Sequence, residues 1–220
     1  MNNGDAAFAE FVGKWRARWP EWGIAEVFIT PQHRAVAVAW FALLDEFADA
    51  AWSGRDAAPG MAKLAWWQQE LLGWAKGGYR HPLGQVLQAQ DAPWSALATA
   101  MPVLGARDLL GAGGAAALSA IEPLARAAAQ IECAMFGRSS DPVISAVALL
   151  AAPMAARSGQ AQVQILLQAL PRRPIAAPRE LRLRAALLRQ RLQAQAAHGG
   201  EWQPAARWRL PWAIWRAARN

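Results

Sequence analysis

Cysteine is nearly missing from this 220-residue chain. Cys133 stands alone, so no intrachain disulfide can form, and a reducing, cytoplasmic setting is expected. Tyrosine occurs once, and β-branched residues are sparse among the Ala, Leu, Arg and Gln that dominate. That balance argues against a sheet and for an all-α fold. Long hydrophobic runs are also wanting: the longest uncharged apolar stretch, 142–156, has 15 residues and contains Pro153. It is too short to span a bilayer. The first residues lack the basic start and apolar run of a signal peptide. Histidine appears only as His33, His81 and His198, far apart and without Cys or acid at ligand spacing, which argues against zinc. Gly111 to Gly114 follow no strand and lead into no Lys-Ser/Thr, so they form a loop rather than a nucleotide cradle.

Acids run out in the second half. Residues 1–142 hold 11 Lys and Arg against 14 acids, whereas residues 143–220 hold 12 Arg against Glu180 and Glu201 alone. A basic C-terminal third suits an anionic partner (lipid headgroups, diphosphates or nucleic acid) or simply a solvated surface. Tryptophan, in contrast, is plentiful at 13 residues. Several lie too close in sequence for all to enter one core, so some are expected to line a cavity or a surface patch.

Hydrophobic periodicity, Pro and Gly divide the chain into helices. They are expected at about 5–18, 30–52, 61–76, 82–90, 93–104, 115–136, 142–156, 160–170 and 178–197. Thr30-Pro31 and Asp141-Pro142 read as side-chain caps followed by Pro in the first turn. Pro153 is expected to kink or end its helix. No repeat and no clear internal boundary appear. The expectation is one helical bundle over 1–200 with a Trp/Arg-rich tail over 201–220.

The densest information lies between residues 34 and 87. Asp45 and Asp49, four apart, share a helix face beside an apolar run. Paired carboxylates in such a place can hold Mg²⁺, which in turn clamps a diphosphate. The chain here carries Pro31, Arg34, Phe41-Ala42, Asp45-Glu46-Phe47-Ala48-Asp49, Lys63-Leu64 with Trp66-Trp67 and Glu70-Leu71, and His81-Pro82. In these sixty residues it resembles the squalene/phytoene synthase family. That resemblance implies an all-α isoprenoid-synthase-type bundle, Mg²⁺ as cofactor, and head-to-head joining of two prenyl diphosphates. Anchored without gaps on Arg34 and Phe41-Ala42, however, the family's Arg falls on Asp45, and its three acids fall on Ala48, Asp49 and Trp52. One motif acid remains. A second Asp-rich helix is also lacking, because no acid lies between Asp141 and Glu180.

The reading that follows is a degenerate, non-catalytic member that binds an isoprenoid or lipid ligand, or a partner protein, near a membrane. The alternative is an active Mg²⁺-dependent prenyl transferase using Asp45 and Asp49, and a third is a basic interaction module without a pocket. Arg34, Phe41, Trp52, Trp66, Trp67 and Glu70 are the expected cavity lining, with core packing and a Lys63–Glu70 contact as the plainer role for the Trp-Trp helix. Cys133 is expected in the core. The arginines of 178–197 are expected on a solvated or lipid-facing surface, and nucleic-acid binding is disfavoured for want of a recognised module or interleaved aromatics. In the tail, Trp208, Trp212 and Trp215 fall at i, i+4 and i+7 among arginines. That pattern suits a peripheral membrane contact or a stripe folded back onto the bundle.

Overall fold

The computed structural model describes residues 3–172, 176–199, 202–204 and 210–219. Helices follow in the order α1 (Asn3–Arg18), α2 (Trp22–Ala25), α3 (Pro31–Trp52), α4 (Ala58–Trp74), α5 (Gly84–Leu87) and α6 (Trp94–Ala100). Then come α7 (Gly114–Ala120), α8 (Glu122–Phe136), α9 (Pro142–Arg157), α10 (Gln160–Ala169), α11 (Arg179–His198) and α12 (Leu210–Arg219). No strand occurs among the described residues, so the fold is all-α. No helix there is long and apolar enough to cross a membrane.

Three helices form the centre. Every residue from Val36 to Leu44 in α3 is buried, and so is every one from Ile144 to Ala151 in α9. A helix that is apolar on all sides must be enclosed on all sides. Neighbours surround α3 accordingly: α1, α4, α5 and α9 all pack on it. The third inner helix is α11, which lies against α9, α10 and α12. A single core cluster runs from Val12 to Ala218, so the tail helix shares the core of the bundle. Close approach of α4 to α3 depends on Gly60, where a Cβ would stand 2.2 Å from the Ala50 carbonyl oxygen.

Several expectations need correction. Thr30 makes no side-chain cap, and α3 starts on the fixed φ of Pro31 alone. Asp141, by contrast, does cap α9, accepting from the Val143 amide at 3.1 Å. The expected helix 115–136 is two helices, α7 and α8, because Pro123 cannot donate to the preceding turn. Pro153 does not end α9, which continues to Arg157. Cys133 is exposed, since α8 turns Ile131, Glu132, Met135 and Phe136 inward and leaves Cys133 outside.

The largest correction concerns α11. Arg182, Arg184 and Arg191 are buried rather than solvated. The tryptophans divide as expected, with Trp66, Trp212 and Trp215 exposed, Trp19, Trp52 and Trp202 on a cavity wall, and many others inside. Trp15, Trp19, Trp22, Trp40, Trp52, Trp67, Trp74 and Trp94 all belong to the one core. Ring contacts link them in pairs, as in Trp74 against Trp94 at 5.0 Å, edge to face.

Candidate functional site

The C-terminal half of α3 aims Asp45, Ala48, Asp49 and Trp52 at the space between α1, α9 and α11. Asp45 lies at the centre of a hydrogen-bond cluster. Its Oδ2 accepts from Trp15 Nε1 at 2.8 Å and from Trp19 Nε1 at 2.6 Å, and its Oδ1 accepts from Arg184 Nη2 at 2.8 Å. Trp15 and Trp19, four apart at the end of α1, thus converge on one carboxylate. Arg184 is only 1 % exposed, and burial pushes its guanidinium down to about 10, with Asp45 pulling the other way. It remains a cation at neutral pH, so Asp45 faces a fixed positive charge supplied by the chain itself.

Trp19 carries two of these cations. The Arg184 guanidinium lies 3.6 Å from its ring centroid and that of Arg191 lies 3.7 Å from it. Two groups so close to one centroid must occupy opposite faces, because on one face they would overlap. Their positions seven apart on α11 bring both to one side of the helix, two turns apart, with the indole between them. Arg191 is itself neutralised by Glu21, donating to both carboxylate oxygens at 2.5 and 2.9 Å. Among the described residues, Arg184 Nε and Nη1 are buried with no hydrogen-bond partner, so stacking stands in for part of their lost hydration.

Asp49, one turn on, is held by Arg18 in a half-exposed ion pair. Burial pushes its carboxyl up, against the pull of Arg18, with Asp45 and Glu46 adding to the push. Glu46 lies 3.6 Å from Arg18 and 2.6 Å from the ammonium of Lys63, so the expected Lys63–Glu70 contact is replaced. Asp45 and Asp49 form part of the wall of an open cavity of about 520 Å³. Its apolar side is built by Ala48 and Trp52 of α3, by Ala148, Ala152, Pro153 and Ala156 of α9, and by Leu188. Arg18, Arg157, Arg191, Trp19 and Trp202 also line it. Arg157 donates to the carbonyls of Trp52 and Gly54, the latter at 2.9 Å, and pairs with no carboxylate among the described residues. The volume suits a ligand of drug or lipid size.

Of the expected lining residues, Trp52 borders this cavity, whereas Arg34, Phe41, Trp66, Trp67 and Glu70 are not among its walls. Phe41 and Arg34 share the face of Asp45 but precede it on α3, by about one turn and about three turns. Phe41 packs edge-on against Trp22 at 5.1 Å, and Arg34 donates to the Ile29 carbonyl at 3.0 Å. The Trp-Trp helix faces elsewhere. Trp67 is buried 4.6 Å from the His81 ring, and Trp66 lies at the surface beneath Arg80. Glu70 is buried and accepts from Trp74 Nε1, the Arg80 and His81 amides and Arg80 Nε, all within 2.9 Å. These donors hold its carboxyl below the ordinary value although burial opposes them. Glu70 therefore fixes the turn that leads into His81-Pro82.

Trp208 lies outside the described residues, whereas Trp212 and Trp215 sit on α12. Among the described residues no group of three or more His, Cys, Asp or Glu side chains is placed to hold a metal ion. Sequence reasoning missed Arg184, Arg191, Trp15, Trp19 and Glu21 as parts of this site. Their signal was present in the spacing, four between the tryptophans and seven between the arginines, each a shared helix face. No protein-family model, curated protein or solved structure matches the chain.

Proposed function

We propose that this chain is a non-catalytic protein built on the squalene/phytoene synthase plan, and that it holds an isoprenoid or other lipid in the cavity beside α3. One observation carries the reading: the carboxylate of Asp45 is satisfied by Arg184, Trp15 and Trp19, and among the described residues the other charged walls opposite it are arginines. A Mg²⁺-diphosphate centre needs several free carboxylate oxygens, and here the chain's own guanidinium takes that position. What remains is an apolar alanine-lined wall on α9 for a tail and Arg157 in the same lining for an anionic head. The lone cysteine fits a cytoplasmic setting.

Calorimetric titration with farnesyl monophosphate tests this reading. Its roughly 20 non-hydrogen atoms, at about 0.3 kcal/mol each, correspond to a Kd on the order of tens of micromolar. Ala152→Phe places a ring in the cavity from a half-buried position and is expected to weaken binding at least about tenfold while leaving the melting temperature nearly unchanged. Undiminished affinity in that variant would remove the cavity as the site.

A further inference from the structure

The tail helix α12 meets the bundle along one stripe. Leu210, Ile214 and Ala218 are buried, α11 and α2 are its neighbours, and Arg182 donates from Nε to the Ala217 carbonyl at 2.9 Å. The helix does fold back, but not by its tryptophans. At 3.6 residues per turn, Trp212, Trp215, Arg216 and Arg219 lie on the side away from that stripe. Trp212 is 63 % exposed and Trp215 is 36 % exposed. Their rings stack on each other, 4.8 Å apart and within 20° of parallel, and the Arg219 guanidinium sits 4.6 Å from the Trp215 ring centroid.

Next to this face is an open cleft of about 460 Å³ lined by Arg172, Arg189 and Arg216 together with Leu167 and three glutamines. Among the described residues no carboxylate lines it. The one acid of α11, Glu180, is engaged with His33 at 2.9 Å. Burial and the neighbouring charge of Arg172 both push Arg189 down from its ordinary value, as expected of cations that face one another without a counter-charge. Arg216 belongs to both features, because it lines the cleft and lies one turn from Trp212.

We propose that this face docks on an anionic lipid bilayer, with Trp212 and Trp215 entering the interfacial layer and Arg172, Arg189 and Arg216 closing on a lipid phosphate. Indole rings favour the headgroup boundary, where an apolar body and a polar N–H are both accommodated. Arginines beside them supply the charge complementarity, and α12 carries no acid to oppose it. Single-stranded nucleic acid suits the surface less well, because the two rings are stacked on each other rather than spread to receive bases.

Flotation of the full chain decides the matter, using vesicles of phosphatidylcholine alone and with about a third of phosphatidylglycerol. Capture by the anionic vesicles is expected, with little by the neutral ones. Replacing Arg172 and Arg216 by Gln together is expected to weaken capture roughly thirtyfold. The pair Trp212→Ser and Trp215→Ser, both at exposed positions, is expected to weaken it about tenfold and to abolish quenching of tryptophan fluorescence by brominated lipid. Capture is expected to survive in Ala152→Phe, which separates this surface from the cavity. Unchanged capture in the Trp variant, loss of capture in Ala152→Phe, or preference for an oligonucleotide over vesicles would each overturn the proposal. So would a dimer of the native chain that disappears in the Trp variant while vesicles are never bound.

Discussion

Asp45→Ala unfolds in urea with a loss of about 3–5 kcal/mol, whereas Asp49→Ala loses no more than about 1 kcal/mol. The two acids are one turn apart on α3 and both border the cavity, yet their surroundings differ. Removing Asp45 leaves the buried Arg184 guanidinium without a counter-ion and takes the acceptor from two indole N–H groups. The Asp49–Arg18 pair is roughly half exposed on both sides, so water and salt screen most of what it contributes. Joint replacement, Asp45→Leu with Arg184→Met, removes both buried charges and is expected to recover the part of the loss due to the uncompensated guanidinium but not that of the two indole N–H groups, which unfolding midpoints at constant denaturant slope will show. A pair of metal-binding acids behaves oppositely, because deleting either one relieves like-charge repulsion and leaves the fold as stable or more so. Equal and small effects at both positions would therefore contradict the role given to Asp45.

The second large effect depends on pH. Glu132 of α8 is wholly buried and accepts from Trp40 Nε1 at 3.0 Å and from the hydroxyls of Ser140 and Ser145, with no cation among these partners. Burial pushes its carboxyl up to about 7, although the three donors pull it back. The folded chain thus keeps a proton that the unfolded chain has released above its ordinary 4.5. Stability from this group is present in full below that value and is lost as pH rises through about 7. The loss amounts to about 3 kcal/mol between roughly pH 4.5 and pH 8. Glu132→Gln keeps the shape without the charge, so its advantage over the native chain should grow by that amount over the same range. A constant difference between the two proteins in urea unfolding would show that Glu132 is ionised in the fold throughout.

Local signals in the sequence located the helices well where they were strong. The limits of α3 follow from Pro31 at one end and Ser53-Gly54 at the other, and the Asp141 cap opens α9 where it was expected. Errors arose where tertiary contacts outweighed composition. Residues 179–198 read as a polar outer helix because they carry five arginines, yet α11 is central and buries three of them. Composition cannot reveal this, since the groups that compensate those charges are distant: Asp45 is 139 residues from Arg184, and Glu21 is 170 from Arg191. The same distance hid the site. Asp45 was legible as a candidate position, but that its partner is a guanidinium depends on the distant α11. The apolar wall of the cavity comes from α9, whose run of alanine signalled burial and gave no sign of a boundary.

On the proposed reading, Arg184 occupies the side of Asp45 that a metal-bound diphosphate would need. Incubating the pure protein with Mg²⁺ and radiolabelled farnesyl or geranylgeranyl diphosphate, and measuring released pyrophosphate and head-to-head product, tests it most directly. Neither is expected above a protein-free control. Mg²⁺-dependent pyrophosphate release that disappears in Asp49→Ala would contradict the reading and establish the acidic helix as a working catalytic site.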